Sequence, residues 1–343
     1  MQPSSSLCVF FRSLKEAADQ NGYSVYALSA PDPRGPFTPK PESFRLSGTS
    51  QVPTGKETMH SLGAWLHDYD TGEPLISNYM MSSNIFMTPL KRPIVDGEGN
   101  LRLGYWEGNE ALKGRAVVGL PTTLRAAATA AERTAVAWLP KPGVAAGWNH
   151  TQGLVLSGMF TVVEKPTVGG GASVGFAFES VPPSQWAPTI PAPPLGRRQI
   201  MMSVEPVLDA TFQTVITDVP QADPSNLTIV DVSGTFPCGS TRCSDATKMS
   251  VTPREQHSFI LLVRRGMFEL YVDGLLVQYH VYGECAFTQS GAQLNVSWPW
   301  PKGKCLGGNC RECGGRIGLA VNGTAVSVNF LRGWQMSLSM FPV

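Results

Sequence analysis

One stretch constrains the fold more than any other: HSFILLVRRGMFELYVDGLLVQYHVYG, residues 257–283. Its runs FILLVRR, FELYVDG and LLVQYHVY are rich in β-branched and aromatic residues, and Gly-containing turns separate them. That pattern predicts an antiparallel meander. A meander buries one face only when a second layer covers it. Further strand-like runs supply that layer: GLVLSGMFTVVE, ASVGFAFES, QIMMSVEPVLDATFQTVITDV and RIGLAVNGTAVSVNFLRGWQMSLSM. Some ten short strands over 153–343 predict a two-sheet β-sandwich. Two Pro-rich stretches, 181–196 and 297–303, interrupt it and read as rigid loops or straps.

The first 95 residues also read as strands between turns. LCVFF, YSVYALSA, LGAWLHDY and EPLISNYMM are each short, and PDPRGPF and DTGEP are turn-rich spacers. Four strands at that spacing match one blade of a β-propeller with long loops. The expected organisation is all-β: a partial propeller segment at 1–95, a linker at 96–152 and a β-sandwich at 153–343. The Ala-rich TTLRAAATAAERTAV, 122–136, predicts one short helix, with an extended surface loop as the alternative.

Charge narrows the function classes. The chain has 27 basic and 26 acidic residues among 343. A net charge of +1 argues against nucleic acid or an anionic membrane surface as the main partner. No run of 18 apolar residues predicts a membrane span. Charged residues make up 15%, and 35 Gly with 28 Pro favour turns over long helices, as in an extracellular all-β protein.

Four N-glycosylation sequons start at Asn149, Asn226, Asn295 and Asn322. Cys238 and Cys243 bracket a short turn, and Cys305, Cys310 and Cys313 share a Gly-rich run downstream of Cys285. Two or three disulfides in an oxidising compartment fit these six. A four-thiolate zinc site of Cys285, Cys305, Cys310 and Cys313 is the competing reading, and free thiols are a third. Disulfides are the expectation, with Cys8 as an odd buried thiol. The N-terminus MQPSSSLCVFF makes a poor signal peptide, since its apolar run is short and no basic residue precedes it. Secretion with a missing true N-terminus is the expectation.

Five scattered histidines show no HxH or HExxH spacing, so no metal and no cofactor is expected. The most site-like cluster is AWLHDYD, with Trp65 beside His67 and Asp68. An aromatic ring stacks on a sugar face while polar neighbours bond its hydroxyls. The competing reading is a half-buried strand end. Trp298 and Trp300 in SWPWPKG form either an exposed aromatic platform or a strap packed on the sandwich. VGGGAS lacks the phosphate-loop pattern and reads as a hairpin turn.

Several pieces resemble the C-terminal part of glycoside hydrolase family 32, the invertases, inulinases and levanases. YSVYALSAPDPRGPF is similar to a late propeller strand with its GPF turn. MTPLKRPIVDGEGNLRLGYWEGNEALKG resembles the exit from the last blade. LLVRRGMFELYVDGLLV and RIGLAVNGTAVSVNFLRGWQMS resemble strands of the family's concanavalin-like sandwich. The resemblance implies a secreted glycoside hydrolase acting on fructosyl β-linkages, with carbohydrate as partner. Such hydrolysis needs an acidic pair, together with an Arg-Asp-Pro motif. Asp32-Pro33 has no Arg before it, and Glu284-Cys285 falls in the sandwich region. No catalytic residue is therefore assigned, and the chain alone is expected to be inactive. The alternative is a non-catalytic, lectin-like carbohydrate-binding protein.

Overall fold

The computed structural model describes residues 25–39, 45–51, 58–95, 101–141, 143–163, 172–179, 196–204, 215–220, 228–231, 236–243, 254–281 and 317–337, with gaps of one to four residues inside several of these. The fold is all-β. Antiparallel strands dominate the described residues, and one 3-10 helix, Glu107–Leu112, stands among them. Among the described residues no helix is long and apolar enough to cross a membrane. The chain divides into two compact units, Met1–Asn109 with Val232–Asp245, and Glu110–Asp231 with Ala246–Val343.

In the first unit Thr58–His67 and Pro74–Met81 pair antiparallel, and Ile85–Met87 adds to the latter. Lys91–Val95 and Leu101–Tyr105 form the next hairpin, joined through the Ile76–Lys91 pairing. YSVYALSA gives two short strands, Val25–Tyr26 and Leu28–Ser29, whereas LCVFF lies outside the described residues. Among the described residues of this unit Lys91 is a fully buried cation: its Nζ donates to Thr88 Oγ1 at 2.9 Å and to the Pro89 carbonyl at 2.8 Å. A buried ammonium is tolerated only with its donors occupied. Asp32 lies at a turn, where its Oδ1 accepts from Arg34 N at 2.8 Å and its carbonyl from Gly35 N at 2.9 Å.

The second unit is a two-sheet sandwich. In one sheet the order is Lys113–Ala116 and Thr123–Ala127 on Ala325–Met336, then Leu154–Val162, His257–Arg264, Met267–Val272 and Leu275–Val281. The last three are the meander read from the sequence. Its second turn is Asp273-Gly274, with φ of +46° and +80°, between the paired Val272 and Leu275. Both residues sit at positive φ, the tight hairpin geometry that Asp-Gly favours. The second sheet runs Thr134–Trp138, Ile317–Asn322, Ala172–Glu179, Gly196–Val204, Val215–Pro220, Thr228–Asp231. Phe160, Phe259, Leu270, Val272, Val326 and Val328 of the first sheet meet Val174, Phe176 and Leu319 of the second. The Phe176 and Phe259 rings stand 5.8 Å apart across that interface.

Two expectations differ from what is observed. The described residues of 122–136 hold strands instead of a helix: Thr123–Ala127 pairs with Ala325–Met336, and Thr134–Trp138 with Ile317–Asn322. Sheet pairing overrides the helix propensity of alanine here. The stretch read as a linker, 96–152, supplies Leu101–Tyr105 to the first unit and three strands to the sandwich. The sandwich unit accordingly begins at Glu110 rather than 153.

Candidate functional site

The Ala325–Met336 strand carries the most unusual local geometry. Against Leu154–Val162, Asn329 faces Met159 but Arg332 faces Ser157. Three steps on one strand thus match two on the other, a β-bulge at Phe330–Leu331. Its effect is a change of phase. Before it, Val326 and Val328 face the inter-sheet core. After it, Leu331, Gly333 and Gln335 are buried in their turn. Strict alternation would have turned these three outward, so the extra residue keeps the second half of the strand in register with the core. The extra residue is Phe330, at φ +55° and 65% exposed. A bulky side chain at positive φ is an outlier, with a strain of roughly 1–2 kcal/mol.

An arch of residues 117–122 braces the bulge. Val117 N donates to the Gly333 carbonyl at 2.9 Å, and Leu331 N to the Thr122 carbonyl at 3.1 Å. Val118 on the arch is 58% exposed. Along the same strand Arg332 is exposed, and exposed Arg125 stands opposite Ser327. Directly paired residues share a face. Further along, Lys113 Nζ lies 4.6 Å from the centre of the Trp334 ring and 2.6 Å from Glu110 Oε2. The surface thus combines an outward aromatic ring with guanidinium groups that can donate in a plane.

A second polar cluster sits at the start of the meander. His257 Nδ1 is 2.7 Å from Asp273 Oδ2, and Ser258 Oγ donates to Asp273 Oδ1 at 3.1 Å. A serine nucleophile requires its hydroxyl on the other imidazole nitrogen, with the carboxylate behind the ring. Here serine and histidine both bond the carboxylate. His257 Nε2 is buried with no hydrogen-bond partner among the described residues, and Phe160 packs beside the ring at 5.5 Å. The trio is wired as a structural clasp, not as a nucleophilic triad.

Of the residues singled out from sequence, Asp68 has its side chain among the described residues. Trp65 pairs with Ile76 and His67 with Pro74 on one hairpin, and the side chains of Trp65 and His67 lie outside the description. Asp68 closes the following turn: its Oδ1 accepts from Asp70 N and Thr71 N, both at 2.9 Å. The bond from Thr71 leads in holding the Asp68 carboxyl below the usual carboxylate range. Trp298, Trp300, Asn149, Asn226, Asn295, Cys8, Cys285, Cys305, Cys310 and Cys313 lie outside the described residues. Asn322 ends its strand, and Thr324 of that sequon is buried. In the 236–243 hairpin Cys238 faces Thr241 and Cys243 faces Phe236, so the two cysteines are not direct cross-strand partners. Among the described residues no three His, Cys, Asp or Glu side chains gather to hold a metal. Phe330 and Arg332 escaped the sequence reading, because a bulge belongs to the pairing of two strands and leaves no mark in composition.

No family model and no curated protein sequence matches the chain. Similar solved structures include a sucrose-6-phosphate hydrolase from Lactobacillus gasseri, 9% identical at a TM-score of 0.40 over 92% of this chain and 48% of that one. The chain thus spans about half the length of that hydrolase. The carbohydrate-binding module CBM66 from Bacillus subtilis is 9% identical at a TM-score of 0.32, over 63% of this chain and 97% of the module. A galectin from Caenorhabditis elegans is 7% identical at 0.26, over 59% of this chain and 90% of the galectin. Likeness at this level establishes no shared activity.

Proposed function

We propose that this chain is a saccharide-binding β-sandwich protein, and that the bulge of the Ala325–Met336 strand with its arch forms the binding surface. The observation that carries the reading is Phe330. Its backbone sits where glycine is favoured, and its ring is 65% exposed. The residue is therefore unfavourable twice over for the fold, in strain and in exposure. Aromatic rings displayed beside planar donors suit a sugar, which offers an apolar C–H face for stacking and hydroxyls for hydrogen bonds. Strain kept at an exposed position is a mark of function rather than stability. The test is calorimetric titration of the wild type and Phe330→Ala with a panel of neutral and acidic oligosaccharides. Saturable binding that weakens about tenfold or more in the variant supports the reading, a difference of ~1.4 kcal/mol. Flat curves across the panel overturn it.

The second reading is a companion module of a glycoside hydrolase acting on fructosyl β-linkages. It is favoured by the segments that resemble family 32, since LLVRRGMFELYVDGLLV contributes to the meander and RIGLAVNGTAVSVNFLRGWQMS gives one strand to each sheet of the sandwich. It predicts no hydrolysis of sucrose or inulin by the purified 343-residue chain, and measurable turnover refutes that. Trp65, His67, Asp68, Trp298 and Trp300 remain proposed contacts, checked by loss of binding in Trp298→Ala or Trp300→Ala. Secretion, with disulfides among the six paired-cysteine candidates and glycans on the sequons, completes the proposal. Mass spectrometry before and after deglycosylation and reduction tests it.

A further inference from the structure

We infer that Trp106, with the Arg92–Glu107 ion pair beside it in the chain, forms a separate site for a single neutral sugar ring in the first unit. The inference goes beyond the bulge surface: it adds a weaker site in the other unit and does not depend on Phe330.

The indole rests on a built support. A Cβ placed on Gly108 would fall on Trp106 Cη2, Cζ2 and Cζ3 at nearly equal separations. An edge-on contact would reach one of these carbons well before the others, so the glycine lies under the face of the six-membered ring. A residue without a Cβ lets the backbone approach that closely. Asn109 fixes the far end of the turn. Its N donates to the Trp106 carbonyl at 3.0 Å, and its buried side-chain Nδ2 donates to the Leu90 carbonyl at 2.6 Å. One face of the indole is thus backed by fixed backbone, yet Trp106 is only half-buried. Among the described residues the ring has no aromatic or cationic partner, and its Nε1 has no acceptor. A buried indole usually bonds its N–H. This one is held flat and left without such a bond.

The polar groups nearby select the ligand. Arg92 stands opposite Gly104, two positions before Trp106, and Glu107 directly follows the ring. Arg92 Nη1 lies 3.1 Å from Glu107 Oε1 and 3.3 Å from Oε2, with side chains 37% and 66% exposed. The pair offers guanidinium donors and carboxylate acceptors together at no net charge. An anion would have to displace Glu107, and a cation would have to displace Arg92. A vicinal diol does neither: each hydroxyl both donates and accepts, so it bonds the intact pair. The C–H face of the same sugar stacks on the indole. Because the ring is already held in place, binding orders little that was free before. A single stacked sugar gives affinity in the millimolar range. The site is therefore read from a signal of its own ring.

The full chain, with isotope-labelled tryptophan, is titrated with methyl β-D-galactopyranoside, methyl β-D-glucopyranoside and methyl β-D-fructofuranoside. The Trp106 indole N–H signal is assigned by its absence in Trp106→Phe. The expected result is a saturable shift of that signal with at least one glycoside. Gly108→Ala should abolish saturation over the same range. The far end of the Trp106 side chain can swing away from the new Cβ, so the unfolding midpoint should move little while the platform is lost. Glu107→Ala should weaken binding about tenfold. No shift with any glycoside overturns the inference and leaves the bulge surface to its own titration. A shift that survives both variants overturns it as well. So does a shift with benzyl alcohol or tetramethylammonium but with no glycoside, which would make the ring a general apolar or cation contact.

Discussion

Asp273 Oδ2 lies 2.7 Å from His257 Nδ1, and this bond ties the first strand of the meander to the turn joining its second and third strands. The same carboxylate accepts from Ser258 N at 2.8 Å and from Ser258 Oγ, while its own backbone sits at φ +46°. Asp273→Ala loses three hydrogen bonds and strains the turn, and should cost about 2–4 kcal/mol. Asp273→Asn keeps an acceptor and tolerates positive φ, so it should cost less than half as much. Urea denaturation of the two variants separates the cases.

Gly153 offers a sharper backbone test. At φ +99°, a Cβ there would stand 2.7 Å from the Val263 carbonyl and 2.6 Å from Met336 Sδ. Its own carbonyl accepts from Met336 N at 3.0 Å and Gln335 Nε2 at 2.5 Å. Gly153→Ala should lower stability by about 3 kcal/mol or more, since the backbone cannot yield as a side chain does. Gly274→Ala, at φ +80° with open space around it, should cost only about 1 kcal/mol. Similar losses for both would mean that torsional strain, not the carbonyl contact, decides the matter.

Phe330 predicts an uncommon separation of stability from binding. Phe330→Asn relieves the positive-φ strain and removes an exposed ring, so the fold should gain up to about 1 kcal/mol. Saccharide binding should be lost at the same time. A destabilised Phe330→Asn would show that the ring supports the fold and would withdraw the argument built on it.

Asp68 carries a pH signature. Hydrogen bonding from Thr71 N holds its carboxyl low, so the ionised form is favoured in the folded chain. Its contribution is present above the ordinary carboxylate range and is lost as pH falls through the lowered value. The stability difference between wild type and Asp68→Ala should therefore shrink on acidification, and Asp68→Asn should show a flatter pH profile than wild type. A difference that grows in acid would contradict the turn as described.

The meander was legible because runs of β-branched and aromatic residues are separated by Gly-containing turns, the second an Asp-Gly pair. Residues 122–136 misled for a physical reason: alanine favours a helix locally, yet two sheet edges on Ala325–Met336 and Ile317–Asn322 stood open to it. AWLHDYD was legible as a strand end, but Asp68 spends its oxygens on its own turn. The candidate surface was the least legible part. RIGLAVNGTAVSVNFLRGWQMS reads as strands, and nothing in it marks which residue a bulge will turn outward.

Ile317–Asn322 and Ala325–Met336 are neighbours in sequence, yet they enter different sheets, each flanked by strands translated earlier. Neither sheet can complete its hydrogen-bond ladder until these residues leave the ribosome. Nascent chains stalled upstream of Ile317 would carry two unzipped sheets with their pairing edges bare, the state in which β proteins most readily join one another. For a protein of this topology, quality control during synthesis would weigh heavily on Ile317–Asn322 and Ala325–Met336, the second of which also carries the proposed binding surface.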